Sequence, residues 1–280
     1  MSAVRPAAIA VLLAVALAGC SSSSPPQITI GAARTYRLTG FKLSNPAAGK
    51  PQRIAFRIDQ PSGAPLTRYR TGSGPHTGIH LIIVRSDLGA IIHQHPKPQA
   101  GGEFSPVVTF PTPGRYRVVV DVYPQLSGPL RNFQLLRWIT IPGRPPSAPL
   151  PPFRRTVTVD GYRFSLTQLP KLHAVQAAFL TLHVTRPNGA PATFTPWFGA
   201  LAHAIFFRAR SLDYFHTHVC SAQTTGCTSV LGPTRVTGTQ TRPGVLRVGV
   251  LLPIGGTWRL FLQCKVDGHI LTAPFTLTVR

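Results

Sequence analysis

Acidic side chains are nearly missing from this chain: 7 Asp and Glu stand against 29 Lys and Arg in 280 residues, a formal charge of +22. No carboxylates are paired for general acid–base work, and no Gly-x-Ser-x-Gly elbow or nucleotide-binding loop is present. The acids nearest the histidine segments described below, Asp87 and Asp213, do not occupy matching positions in them. Catalysis is therefore not expected. Methionine is confined to Met1, which removes the thioether ligand of a dedicated Cu(I) or blue-copper site. Charged residues are few at 13%, while Gly (25) and Pro (29) are plentiful, a balance that disfavours long helices and favours short strands joined by turns.

One apolar run lies near the start, residues 7–18 (AAIAVLLAVALA), behind Arg5. It is too short to span a bilayer and reads as a targeting segment that is removed. It ends in Leu17-Ala18-Gly19-Cys20, which resembles the lipobox of bacterial lipoproteins. That resemblance implies cleavage before Cys20 and a diacylglyceryl group on its sulfur. The polar SSSSPP that follows suits a tether, and two or three acyl chains suffice for stable anchoring. The expected layout is a signal peptide over 1–19, a tether over 20–26, and a membrane partner reached through the lipid. The cations are mostly scattered Arg rather than a cluster, so no nucleic-acid partner is expected. Some attraction to anionic headgroups fits an anchored protein.

With Cys20 assigned to lipid, Cys220, Cys227 and Cys264 remain. The loop CSAQTTGC is short enough to close locally, which favours a Cys220–Cys227 disulfide; Cys220–Cys264 is the competing pairing.

Landmarks recur in order. Pro61-Ser62-Gly63-Ala64-Pro65 matches Pro187-Asn188-Gly189-Ala190-Pro191, and Pro111-Thr112-Pro113-Gly114-Arg115-Tyr116 matches Pro253-Ile254-Gly255-Gly256-Thr257-Trp258. Between them lie HLIIVRSDLGAIIHQH (80–95) and HAIFFRARSLDYFHTH (203–218), and each half closes on a strand, RWITI or FTLTV. The chain thus reads as a duplication: a first β-sandwich domain over 27–141, a Pro-rich linker over 142–153, and a second domain over 154–280. From His95 to Pro111 is 16 residues and from His218 to Pro253 is 35, so the second copy carries an insertion. About seven strands per half are expected, with Tyr116, Val118 and Val120, or Trp258, Leu260 and Leu262, on an inward face.

The two segments share five identities: three histidines, Ile82/Ile205 and Arg85/Arg208. A hairpin turning at Ser86-Asp87-Leu88 sets His80 opposite His93, and His95 then points to the same face. The same construction gathers His203, His216 and His218. Three imidazoles suit a divalent ion, Zn(II) or Cu(II), with His76 as an extra ligand in the first domain only, since Gly199 is its counterpart. The bland alternative is a hydrogen-bonded structural cluster in a non-catalytic module that docks an envelope protein.

HLIIVRSDLGAIIHQHP followed by TFPTPGRYRVVVDVYP resembles exported bacterial sandwich proteins of the YtkA-like and FixH-like kind, and GALAHAIFFRARSLDYFHTH resembles a companion pattern. The resemblance implies immunoglobulin- or cupredoxin-like sandwiches, copper or heavy-metal association and an envelope location. Val219-Cys220 and Cys264 depart from it, which puts the second site in more doubt than the first. The expectation is an all-β, membrane-anchored envelope lipoprotein with one three-histidine metal patch per domain, serving metal handling or storage.

Overall fold

The computed structural model describes residues 35–126, 132–221, 227, 230–231, 234–235 and 237–280. The expected signal peptide, Cys20 and the expected tether lie outside these residues. The described elements are strands, apart from one 3-10 turn at Ala100–Gly102.

The first half runs β1 (Arg37–Leu43), β2 (Pro51–Asp59), β3 (Ile79–Arg85), β4 (Ile91–Gln94), β5 (Glu103–Phe104), β6 (Val107–Thr109), β7 (Gly114–Val122) and β8 (Phe133–Ile141). One sheet joins β1, β2, β5 and β6; the other has the order β4-β3-β7-β8. The period of two along a strand turns Ile54, Phe56 and Ile58 of β2 inward, where they meet Tyr116, Val118 and Val120 of β7 in one core. This is an immunoglobulin-like β-sandwich.

The second half runs β9 (Thr156–Val159), β10 (Tyr162–Gln168), β11 (Ala178–Thr185), β12 (Phe194–Thr195), β13 (Ala202–Arg208), β14 (Tyr214–Cys220), β15 (Val230–Leu231), β16 (Thr234–Arg235), β17 (Gly238–Arg242), β18 (Val245–Val250), β19 (Gly256–Val266) and β20 (His269–Val279). Ten of these strands form one sheet, in the order β12-β19-β13-β14-β17-β18-β11-β10-β9 with β20 on β19. The sheet curls round a single core that includes Trp258, Leu260 and Leu262, close to a barrel. What joins its two faces is a parallel pairing of β14 with β17, Val219 opposite Gly238. β15 to β17 fall in the long interval after His218, so the insertion is what ties the sheet together. Cys220 and Cys227 are disulfide-bonded, their Cα atoms 6.2 Å apart, and Cys264 is a buried free thiol.

The duplicated landmarks do duplicated work. The Tyr116 hydroxyl donates to the Thr112 carbonyl at 2.7 Å, and Trp258 Nε1 donates to the Ile254 carbonyl at 3.0 Å. The Arg85 side chain lies across Gly114 and that of Arg208 across Gly256, both glycines at positive φ, where a Cβ would sit 3.0 Å from the arginine. The shared arginine therefore braces the hairpin tip.

The two halves, expected as tandem domains, do not stand apart. Residues Thr35–Arg280 form one compact unit. β3 is buried along its whole length, and β13 nearly so, because both faces of each are covered. The outer faces meet: Ile82, Val84, Leu88 and Val119 pack on Ile205, Phe207, Leu212 and Phe261. Fully burying such a side chain stabilises by roughly 1.5–3 kcal/mol. Leu150 of the connecting segment packs on the same cluster, and the Pro151 carbonyl accepts a hydrogen bond from Thr276 Oγ1 at 2.6 Å.

Candidate metal centre

Each histidine hairpin is in a register two residues from the expected one. Ile82, not His80, stands opposite His93, and Leu81 stands opposite Gln94. In the second half His203 is opposite His218 and Ile205 is opposite His216. The first turn centres later because the Arg85 amide bonds the Ala90 carbonyl and Leu88 takes a left-handed conformation, φ 63°. A slip of two preserves side-chain parity, so the three imidazoles of each hairpin still share a face. That face is the outer one, continuous with Ile82 and Val84 or with Ile205 and Phe207.

The same apolar contact that joins the halves therefore carries the histidines together. They were expected as two separate patches; all six instead form one cluster at the join. His80 Nδ1 lies 3.1 Å from His216 Nδ1. Ring centroids are 4.9 Å apart for His80–His216 and for its duplicate His203–His93, and 5.7 Å for His80–His218 and His203–His95. A pseudo-twofold axis thus relates the hairpins. Three groups have ligand atoms mutually within 4.8 Å: His80–His93–His216, His93–His95–His203 and His203–His216–His218. Two of the three mix the halves, and His93, His203 and His216 each serve two groups. His76, expected as a ligand of the first domain, stands edge-on to His218 of the second half at 4.8 Å, outside these groups. His173, His183 and His269 also lie outside them.

Carbonyl oxygens only accept, so their contacts fix the tautomers. His80 Nε2 donates to the Pro75 carbonyl at 2.7 Å and His203 Nε2 to the Trp197 carbonyl at 3.0 Å. Both therefore present an Nδ1 lone pair. The imidazole between them is His216, with Nδ1 3.1 Å from His80 Nδ1 and Nε2 3.3 Å from His203 Nδ1. A neutral His216 has one N–H for two lone pairs. One close nitrogen pair therefore lacks a hydrogen. His218 is fully buried, and neither of its ring nitrogens has a hydrogen-bond partner among the described residues. Buried polar atoms left in this state call for a partner that the neighbouring side chains do not supply.

A proton is disfavoured. Burial, with neighbouring imidazoles adding repulsion, pushes His80 and His203 down to about 3 despite their carbonyl partners, and lowers His93, His95, His216 and His218. The cluster is thus a set of neutral nitrogens, the form that binds metal. Nitrogen separations of 3.0–3.3 Å fit ligands about 2.0–2.1 Å from a shared Zn(II). Beyond the carbonyls, Gln263 Oε1 accepts from His93 Nδ1 at 3.0 Å, turning Nε2 toward His95, also at 3.0 Å. Such outer contacts orient metal-binding imidazoles.

Sequence reasoning missed Asp121 and Gln263. They are duplicates, opposite His80 in β7 and opposite His203 in β19. The signal was present as a polar residue interrupting each apolar strand, Asp121 in VVVDV and Gln263 in LFLQCKV. Burial raises the Asp121 carboxyl, while hydrogen bonds from Asn132, Gln134 and Tyr123 pull it back down. Solvent reaches the cluster beside His95, which is partly exposed, stacks on Phe198 at 4.0 Å and lines a surface groove with Gln94, Lys97 and Ser105.

Comparison with known proteins gives a family. The model described as "Domain of unknown function (DUF8832)" matches residues 33–135 and 157–280. The chain belongs to the DUF8832 family. Each DUF8832 match contains one histidine hairpin. No curated protein matches the chain. Among solved structures it is similar to invasin, a bacterial integrin-binding protein, at 18% identity over 88% of this chain and 38% of that one, TM-score 0.24. It is also similar to a tetra-tandem repeat of a large adhesion protein, at 11% identity over 88% and 50%, TM-score 0.27. Clostridium thermocellum CbhA fibronectin(III)-like modules match at 10% over 85% and 92%, TM-score 0.21. The chain thus spans half or less of the first two, and at these scores the sandwich architecture rests on the strand pairing alone.

Proposed function

We propose that this DUF8832 protein is a metal-binding protein of the bacterial envelope, holding Cu(II) or Zn(II) in one composite histidine centre between its halves for handling or storage. The observation that carries the reading is His216 set between two histidine lone pairs, with one hydrogen for both. A bound ion supplies the missing positive partner and a Lewis acid site. His80, His93, His95, His203, His216 and His218 would hold it, oriented by Pro75, Trp197 and Gln263. The apolar segment, the lipobox-like Leu17–Cys20 and the resemblance to YtkA-like and FixH-like proteins support an extracytoplasmic, lipid-anchored location.

The test is calorimetric titration of the chelator-stripped chain with Zn(II) and with Cu(II). Substituting the shared histidines, His93→Ala/His203→Ala/His216→Ala, removes two ligands from every group and should abolish binding. Unchanged uptake, or no uptake by the wild type, would leave the histidines as structural residues of an interaction module.

A further inference from the structure

The duplication pairs Asp121 with Gln263, and the two are not equivalent in charge. Gln263 is neutral, accepting from His93 and donating to Thr272 at 3.0 Å. Asp121 is a carboxylate, 2% exposed, whose Oδ2 lies 3.7 Å from His80 Nδ1. Asn132 and Gln134 donate to Oδ1 at 2.9 and 3.0 Å, and the Tyr123 and Tyr214 hydroxyls donate to Oδ2 at 3.2 and 3.4 Å. Those four donors fill the acceptor capacity of the carboxylate. They hold it in place without neutralising it. Although the chain has 29 Lys and Arg, none pairs with Asp121 among the described residues; the ionisable bases beside it are His80 and His76. A buried carboxylate without a cation is strongly unfavourable. The matching position across the join carries no charge, so the centre is electrostatically one-sided.

We infer that Asp121 is the counter-charge that makes His80–His93–His216 the group that takes up a divalent cation first, ahead of the two groups containing His203. This rests on the metal reading above and adds to it which group the ion prefers, since His93 and His216 are shared and the three groups cannot all be complete at once. Asp121 is a charge partner rather than a ligand, because its oxygens are already occupied. It acts through the field at His80, and a dipositive ion gains more from that field than a proton or a monovalent ion does. Gln263 plays the orienting part of the same position without the charge.

Asp121→Asn tests this with little change of shape. The new amide oxygen still accepts from Asn132 and Gln134, and its NH2 can donate to the tyrosine oxygens. Zn(II) alone, then Cu(II) alone, is titrated into the full chain against a competing chelator, and melting is followed with and without the ion. The expected result is a loss of tenfold or more in affinity for the first equivalent, the size typical of an outer-shell partner, with later equivalents changed less. The metal-free variant should melt no lower than wild type, since an uncompensated charge has been removed. Wild-type affinity for the first equivalent in Asp121→Asn would overturn the inference while leaving the metal reading standing. So would a variant that melts lower without metal yet gains as much from the ion. A wild-type chain that takes up neither ion overturns the metal reading and this inference with it.

Discussion

His80 Nδ1 stands 3.1 Å from His216 Nδ1 although the residues are 136 positions apart and belong to different halves. An ion shared by these two atoms is a cross-link between sandwiches. Removing either ligand should weaken the first Zn(II) by about tenfold or more, as disturbing a metal shell does. Because both ligands serve one ion, the double variant His80→Ala/His216→Ala should cost less than the sum of the singles. Additive losses in a double-mutant cycle on affinity would place the two histidines in separate sites.

Acid should unfold the metal-free protein. The buried histidines stay neutral in the fold, with His80 and His203 held down to about 3, while the unfolded chain protonates near the ordinary value of 6.5. Between those values the unfolded state binds more protons, so stability is complete above pH 6.5 and is lost as pH falls toward 3. Each fully buried histidine that stays neutral contributes a loss of about 1.4 kcal/mol per pH unit in that window. A urea midpoint that does not move between pH 7 and pH 5 would contradict the buried neutral cluster.

Gly199→Ala should damage both the join and the site. Gly199 has φ +77°, and a Cβ there would lie 2.6 Å from the Ser73 carbonyl oxygen of the other half. The loop also supplies the Trp197 carbonyl that orients His203. Loss of about 1–3 kcal/mol of stability is expected from the strained backbone, together with weaker Zn(II) binding. Wild-type values in both urea unfolding and metal titration would show that the two loops can separate without consequence.

The disulfide closes the end of β14 two residues beyond His218. For so short a loop the chain-entropy relation gives about 2–3 kcal/mol. Cys220→Ser/Cys227→Ser should lose about that much stability and weaken the His203–His216–His218 group more than the group containing His80. Equal weakening of all equivalents would place the effect on the fold as a whole.

The duplication was legible because turn chemistry repeats: PSGAP and PNGAP, then Gly114 and Gly256 beneath their arginines. The shared face of each histidine triad was legible from parity, even though the register was not. Nothing in Ser86-Asp87-Leu88 announces that Leu88 adopts the left-handed conformation that moves the turn. The meeting of the halves was hidden, since spacing within a hairpin carries no information about what covers its outer face. A trace of it existed in LIIV and AIFF, continuous apolar runs where a sheet with one wet face would alternate. Asp121 and Gln263 were visible as polar interruptions of apolar strands, but their meaning depends on the histidines placed opposite them.

One centre built from both halves requires an ion bound across the join. Anomalous diffraction at the zinc edge from Zn(II)-loaded crystals tests it most directly. A first peak is expected about 2.0–2.1 Å from nitrogens of His80, His93 and His216, spanning the join. Peaks held solely by histidines of one half, or no peak among the six, would contradict it.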